Sequence, residues 1–199
     1  MFLDLIRKTR SCRRFDNSQK ISREKFLELI NYARLSGSSG NLQPLRFAVC
    51  TSQNSVRKIS RSMIWGFFYD DTSAPADEFL PAGFIVIAGD KRVRKDFGID
   101  AGIALQSIML GAAFQNLAGC AFASWDDKTV RKYVKLSDDH EIVLLVAIGK
   151  PSQEILLEEL APGNENPTQQ TTKYFLDESE KHHVPKLALA DILLEETPE

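Results

Sequence analysis

A chain of 199 residues, 43% hydrophobic and with a formal net charge of −2, is long enough to bury a sizeable core as one domain, or one domain with arms. The near-neutral balance excludes the broad basic footprint of a nucleic-acid-binding protein. Cys12, Cys50 and Cys120 fit neither a metal-ligand spacing nor an even disulfide framework, so a reduced, cytoplasmic setting is expected; the N-terminal stretch MFLDLIRKTR lacks the apolar run of a signal peptide.

Phe2, Leu3, Leu5 and Ile6 mark a short apolar helix face. Arg7, Lys8 and Arg10 follow at the end where cations offset the macrodipole. The chain then turns through Arg10-Ser11-Cys12-Arg13-Arg14-Phe15, a small basic turn with a hydroxyl, suited to an anion. Ser22 is placed to cap the next helix, with Glu24 in its first turn. Phe26, Leu29, Ile30 and Ala33 keep the i, i+3, i+4, i+7 spacing of one buried face. That helix ends near Leu35 and opens a stretch of small and amide residues, Ser36 to Phe47. Its glycines permit positive φ and close backbone approach. Its serines, Asn41 and Gln43 offer short polar arms, and Pro44 fixes the exit into a strand. Such a loop can hold a flat, heteroatom-rich ring by its edges; by composition alone it also reads as an ordinary connection.

Phe47 to Cys50 reads as a short strand, and Val56, Ile59 and Met63 as a third helix face. An irregular aromatic stretch from Trp65 to Pro81 either borders a functional pocket or covers the core. Phe84 to Ala88 is a nearly continuous apolar strand, and the basic run Lys91 to Lys95 a solvated loop or helix start. Asp100-x-Gly102 opens a long helix, the carboxylate being placed to satisfy free N–H groups. The apolar segment Ala101 to Ala121 carries Gln106, Ser107, Gln115 and Asn116 around its circumference, so it reads as a buried central helix and not as a membrane span. Gly119 to Trp125 leads onward, Asp126 can cap a short helix bearing Val130, Tyr133 and Val134, and Ile142 to Ile148 is a fully buried strand. After Pro151 the composition turns polar and extended, and Leu187, Leu189, Ile192 and Leu193 follow Lys186. Residues 1–151 are therefore expected to be the core and 152–199 a C-terminal arm of the same domain. His182 and His183 have no second ligand pair at metal spacing, so an exposed role and no metal site is expected.

No Gly-x-Gly-x-x-Gly or Walker A pattern is present, and no serine sits in a Gly-x-Ser-x-Gly motif. Cys12 beside Arg13 is expected to have a lowered pKa, as a reactive thiol or as an ordinary small side chain. With no catalytic acid, base or nucleophile in view, the chemistry falls to a cofactor.

Two motifs in order, Arg10-Ser11-x-Arg13-x-Phe15 and then Ser38-x-x-Asn41-x-Gln43-Pro44 after the next helix, together resemble the FMN-dependent nitroreductase family. The resemblance implies an α+β fold, a mixed central sheet flanked by helices. It implies an intertwined homodimer with FMN at the interface, the terminal arms embracing the partner subunit. It assigns Arg10, Ser11 and Arg13 to the phosphate and the pyrimidine end of the ring, and Ser38, Asn41 and Gln43 to contacts along the flavin. Backbone amides of Ala123 and Ser124 would face N5, and Lys186 would return to the phosphate. Arg13 would stabilise reduced flavin near N1–O2, or serve as a second phosphate contact or a surface ion pair. Thr9 stands where many relatives carry a cation, leaving a hydroxyl contact or none. Ala188 replaces a second cation of the tail, and Leu45 a packing tryptophan. The implied activity is two-electron reduction of a small planar acceptor, nitroaromatic, quinone or similar, with NAD(P)H as reductant. Another flavin reaction on the same fold, such as dehalogenation or dehydrogenation, and a non-catalytic flavin-binding or interaction protein are the alternatives. Neither nucleic acid nor membrane is an expected partner.

Overall fold

The computed structural model describes residues 1–164 and 166–194, which divide into two compact units: residues 1–67 with 72–152, and residues 68–71 with those from 153 onward.

The first unit runs α1 (Phe2–Lys8), α2 (Arg23–Leu35), β1 (Leu45–Cys50), α3 (Gln53–Ser60), β2 (Gly83–Asp90), α4 (Gly98–Phe114), β3 (Ala118–Phe122), α5 (Asp127–Arg131) and β4 (His140–Gly149). Its strands form one sheet in the order β1-β2-β4-β3, antiparallel at every pairing. β2 is buried along its whole length, which is why it reads as an apolar run and not as an alternation. Phe26, Leu29 and Ala33 of α2 and Ala104, Ile108 and Ala112 of α4 share one core with Ile85, Ile87, Val146 and Ile148 of the sheet. Fully burying a large aliphatic or aromatic side chain of this kind contributes about 1.5–3 kcal/mol. The two helices come close at Gly111, where a Cβ would collide with the ring of Tyr32.

The helix expected through Ala121 stops at Phe114. Asn116 adopts a left-handed φ of 56°. The N–H of Leu117 then reaches the carbonyl of Ala112 at 2.8 Å, and that of Asn116 the carbonyl of Ala113 at 3.1 Å. This is a Schellman end with asparagine in the glycine position, and Ala118–Phe122 turns back as the edge strand β3. At the other end the first amide of α4 is taken by Asp96, whose Oδ1 accepts from Gly98 at 2.9 Å, so Asp100 does not cap the helix. α4 is buried along one side only; Ile99 and Phe114 are 63% and 73% exposed. Ser22 occupies the N-cap of α2 without a side-chain cap bond, whereas Asp126 caps α5 through the N–H of Thr129 at 3.0 Å. Trp65 takes the covering role, 2% exposed with its indole N–H on the carbonyl of Ser60 at 2.9 Å.

The second unit holds β5 (Ile155–Glu159), β6 (Phe175–Leu176), β7 (His182–Lys186) and the short α6 (Leu189–Ile192). Its sheet has the order β5-β7-β6, with β5 parallel and β6 antiparallel to β7. The α+β class holds, and parallel pairing between named strands occurs in this small sheet; the large sheet adds a single parallel bridge, Ser11 with Gly119. The tail expected to be extended and polar therefore carries three strands. Pro185 sits in the middle strand, but β6 pairs only with His182 and His183, so the missing N–H of Pro185 leaves no ladder bond unmade. The Tyr69 hydroxyl lies 2.7 Å from Nδ1 of His182, and Phe68 N–H reaches the Tyr174 hydroxyl at 3.4 Å, which ties residues 68–71 into this unit. His182 is 1% exposed, against the expectation of an exposed role. Among the described residues no helix is long and apolar enough to cross a membrane.

Candidate functional site

The basic turn begins where α1 runs out. Thr9 is buried, and its hydroxyl donates to the carbonyl of Leu5 at 2.7 Å. Its hydrogen is engaged within the helix. Arg10 donates from Nη2 to the carbonyl of Ile6 at 3.1 Å, while its Nε is buried with no partner among the described residues. Burial pulls the pKa of this guanidinium below its ordinary value, yet arginine stays charged in proteins. An unpaired buried N–H costs about 1–3 kcal/mol, which any acceptor that reaches it would remove, an anionic one most strongly. Ser11 bridges Gly119 on the outer side of β3, and the Cys12 N–H donates to the Gly119 carbonyl at 2.9 Å. Gly119 has no room for a side chain, since a Cβ would lie 2.6 Å from Met109 Sδ and 3.0 Å from the Ala147 carbonyl. Arg13 acts electrostatically on both Cys12 and Cys120. Burial outweighs it: Cys12 is 0% exposed and its thiol is pushed up to about 11. The expectation of a lowered pKa is overturned, because desolvation of the thiolate exceeds the attraction of the neighbouring cation. Arg14 lies over the ring of Phe79 at 4.3 Å.

The Ser36–Pro44 loop has a strained backbone. Gly40, Asn41 and Gln43 take φ of 59°, 54° and 52°, left-handed values that cost a non-glycine residue on the order of 1 kcal/mol or more. Asp100, in the first turn of α4, holds the loop in place. Its Oδ1 accepts from Ser38 Oγ at 2.5 Å and from the Ser39 N–H at 3.2 Å, and its Oδ2 receives Arg94 Nη1 at 3.2 Å. Ser38 Oγ accepts in turn from the Gln43 N–H at 2.9 Å. Gln43 Nε2 donates to Asn41 Oδ1 at 3.2 Å. That leaves one amide donor, Asn41 Nδ2, and one amide acceptor, Gln43 Oε1, on two exposed residues. A cavity of 380 Å³ opens beside this loop, lined among others by Ile30, Ala33, Ser38, Gln43, Phe47 and Ala104.

The two motifs lie at opposite edges of one sheet. The loop leads into β1, whose Leu45 pairs with Gly89; the basic turn attaches to Gly119 on β3, which pairs with Ile148, itself opposite Gly83. From Gly83 to Gly89 along β2 is about 20 Å, and three strand spacings across the sheet are about 14 Å. The strands between them are β2, buried along its whole length, and β4, so the two motifs of one chain stand well apart.

Ala123 and Ser124 follow the end of β3 and are exposed; they share that edge with Ser11, further along the strand. Lys186 is exposed at the end of β7. Arg10, Ser11 and Arg13 thus form one group, and Ser38, Asn41 and Gln43 a second.

The family model of the nitroreductases matches residues 6–150, more than half of the chain. The chain belongs to the nitroreductase family. Solved structures agree on the fold. A nitroreductase family protein of Clostridium difficile 630 is 22% identical, with a TM-score of 0.66 over 100% of this chain and 99% of that one. An FMN-dependent nitroreductase of Clostridium difficile R20291 is 21% identical, with a TM-score of 0.63 over 84% and 95%. The NADPH:FMN oxidoreductase of Vibrio harveyi, complexed with NAD+, is 21% identical, with a TM-score of 0.60 over 76% and 69%. No curated protein matches the chain. Within this nitroreductase fold, Asp100 and Arg94 escaped the sequence reading. Asp100 was visible only as a helix-capping type, and the loop it grips is 61–62 residues away in the chain.

Proposed function

We infer that this nitroreductase is an FMN-dependent oxidoreductase and works as a homodimer, using NAD(P)H to reduce nitroaromatics, quinones or similar electron-poor acceptors by two-electron steps. The observation that carries the reading is the buried, unpaired Nε of Arg10 beside Ser11 and Arg13, a charged donor set that fits a phosphate dianion. The donor–acceptor pair of Asn41 and Gln43 matches the alternating N–H and C=O groups along the pyrimidine edge of a flavin. The named activities of the Clostridium and Vibrio proteins point the same way.

The opposite-edge placement of the two groups supports a twofold dimer in which each flavin is held by the basic turn of one protomer and the amide loop of its partner. Exposed apolar residues of the first unit, Phe2, Leu3, Ile99 and Phe114, are of the kind that mark an interface.

Bound FMN would supply the redox chemistry, taking a hydride from the reduced nicotinamide and passing it to the acceptor. The chain's own residues bind and orient. Arg10 and Ser11 would hold the phosphate, Arg13 would place positive charge at the ring, and Ala123 and Ser124, exposed after β3, would offer their backbone amides to the ring edge. Cys12 takes no part, its thiol being buried and protonated at neutral pH. Three buried free thiols suit a reducing cytoplasm.

The deciding experiment is to purify the protein, record its visible spectrum with and without added FMN, and add NADH or NADPH in the absence of air. A yellow protein that is bleached by one of them, and recovers its colour with a quinone or nitroaromatic, supports the oxidoreductase. A colourless protein that FMN cannot reconstitute would reject it and favour an interaction protein.

A further inference from the structure

We propose that Asp100 is the positioning residue of the flavin loop: it clamps Ser38 and Ser39 from the first turn of α4, and through Ser38 sets the backbone of Gln43. This rests on the reading that the loop holds FMN. Asp100 is 3% exposed, and a buried carboxylate needs its lone pairs answered. Arg94 and the helix N-terminus account for one oxygen and for the charge. They do not account for the other oxygen, which takes two donors from the loop, the Ser38 hydroxyl and the Ser39 N–H. Hydrogen bonds to an ionised acceptor are stronger than neutral ones, so the clamp is anchored by charge and mounted on the long helix α4, a rigid support of the kind a precise site needs.

The loop needs such an anchor. Two non-glycine residues of the six from Ser38 to Gln43, Asn41 and Gln43, take left-handed backbone, and conformations of that kind persist only where the surroundings over-determine them. The relay runs Arg94 to Asp100 to Ser38 to the Gln43 N–H. The Ser38 hydroxyl gives its hydrogen to Asp100 and accepts from Gln43, so it works inside the loop. The groups turned outward are the amides of Asn41 and Gln43. Without the carboxylate, Ser38 loses its acceptor, the Gln43 amide loses a fixed partner, and the two side-chain amides no longer share one orientation. An ordinary ion pair between Arg94 and Asp100 would predict lost stability alone. A clamp predicts lost affinity for the ring.

The test is titration of FMN and of riboflavin into wild type and the variants D100A, D100N, S38A and D100A/S38A, each at a temperature where circular dichroism shows it folded. D100A is expected to raise both dissociation constants by a common factor of about 10, the loss of one net hydrogen bond's worth of ring contact. It should also change the visible band of the bound flavin. D100N keeps an oxygen for Ser38 and Ser39 but loses the charge that strengthens those bonds and faces Arg94, so it should melt earlier and bind both ligands with affinities between those of wild type and D100A. D100A/S38A should be no weaker than the worse single variant, since both cut the same relay. Affinities in D100A equal to wild type, or additive losses in the double variant, would overturn the clamp. The N41A/Q43A protein separates this from failure of the underlying reading. If it too binds both ligands normally, the loop does not hold flavin at all; if it binds them weakly while D100A binds them normally, Asp100 alone has been misassigned.

Discussion

Replacing Arg10 with alanine removes two groups of opposite effect. The unpaired Nε costs the ligand-free protein about 1–3 kcal/mol, and the Nη2 bond to Ile6 returns a similar amount. The melting temperature of ligand-free Arg10→Ala should therefore stay close to that of wild type. The loss appears with ligand. A charge-assisted bond to phosphate contributes about 1.5–3 kcal/mol, a factor of roughly 10 to 150 in the FMN dissociation constant. At FMN a hundred times the wild-type constant, binding stabilises wild type by about 2.7 kcal/mol and the variant by only about 0.3–1.4 kcal/mol. For a chain of this size the difference corresponds to a ligand-induced melting shift smaller by about 3–10 °C. The assay is thermal unfolding of both proteins without ligand, with FMN and with riboflavin, which lacks the phosphate. Riboflavin should shift the two proteins equally. An FMN shift unchanged in Arg10→Ala, or a riboflavin shift reduced as much as that of FMN, would refute the phosphate assignment.

Other expectations follow from the same geometry. His183 lies between Glu158 at 2.5 Å and Asp177 at 3.2 Å, and these carboxylates, Glu158 first, raise its pKa above the ordinary 6.5. Its contribution is complete below the unfolded value and is lost as pH rises through the folded one. Amide hydrogen exchange in residues 153–194, corrected for intrinsic rate, should quicken on the alkaline side of 6.5, and His183→Gln should flatten that dependence. Cys12, fully buried and with its thiol pushed up to about 11, should resist iodoacetamide at pH 8 in the folded protein and react only on denaturation, as mass spectrometry would show. Gly119→Ala should destabilise by about 1–3 kcal/mol in urea unfolding, because the Ala147 carbonyl beside the new Cβ is backbone and cannot move aside.

The fold was legible where periodicity and burial coincide. Phe26, Leu29 and Ala33 mark the face of α2 that enters the core, and the unbroken apolar runs mark β2 and β4 as interior strands. The end of α4 was not legible, because its left-handed stop is Asn116, a residue that also sits within helices. Nor was the second sheet. Its strands are short and carry histidines and glutamates, and they are held by side-chain pairs such as Tyr69 with His182. The two site motifs were visible as residue types, but their separation depends on strand order, which no local spacing encodes. The role of Asp100 and the burial of Cys12 are likewise tertiary facts: the same carboxylate would cap a helix, and the same thiol would be acidic, were they exposed.

The central claim, that each flavin is held by the basic turn of one protomer and the amide loop of its partner, is tested most directly by a mixed dimer. Two differently tagged chains, one Arg10→Ala and the other Asn41→Ala/Gln43→Ala, are co-expressed, the heterodimer is isolated through both tags, and FMN is titrated into it. A site shared between protomers leaves one pairing with both halves intact and places every defect in the other. The account predicts one FMN per heterodimer bound with wild-type affinity, although each parent homodimer binds weakly at both sites. A heterodimer with two equally weakened sites, or a chain that remains a monomer in light scattering at any FMN concentration, would contradict it.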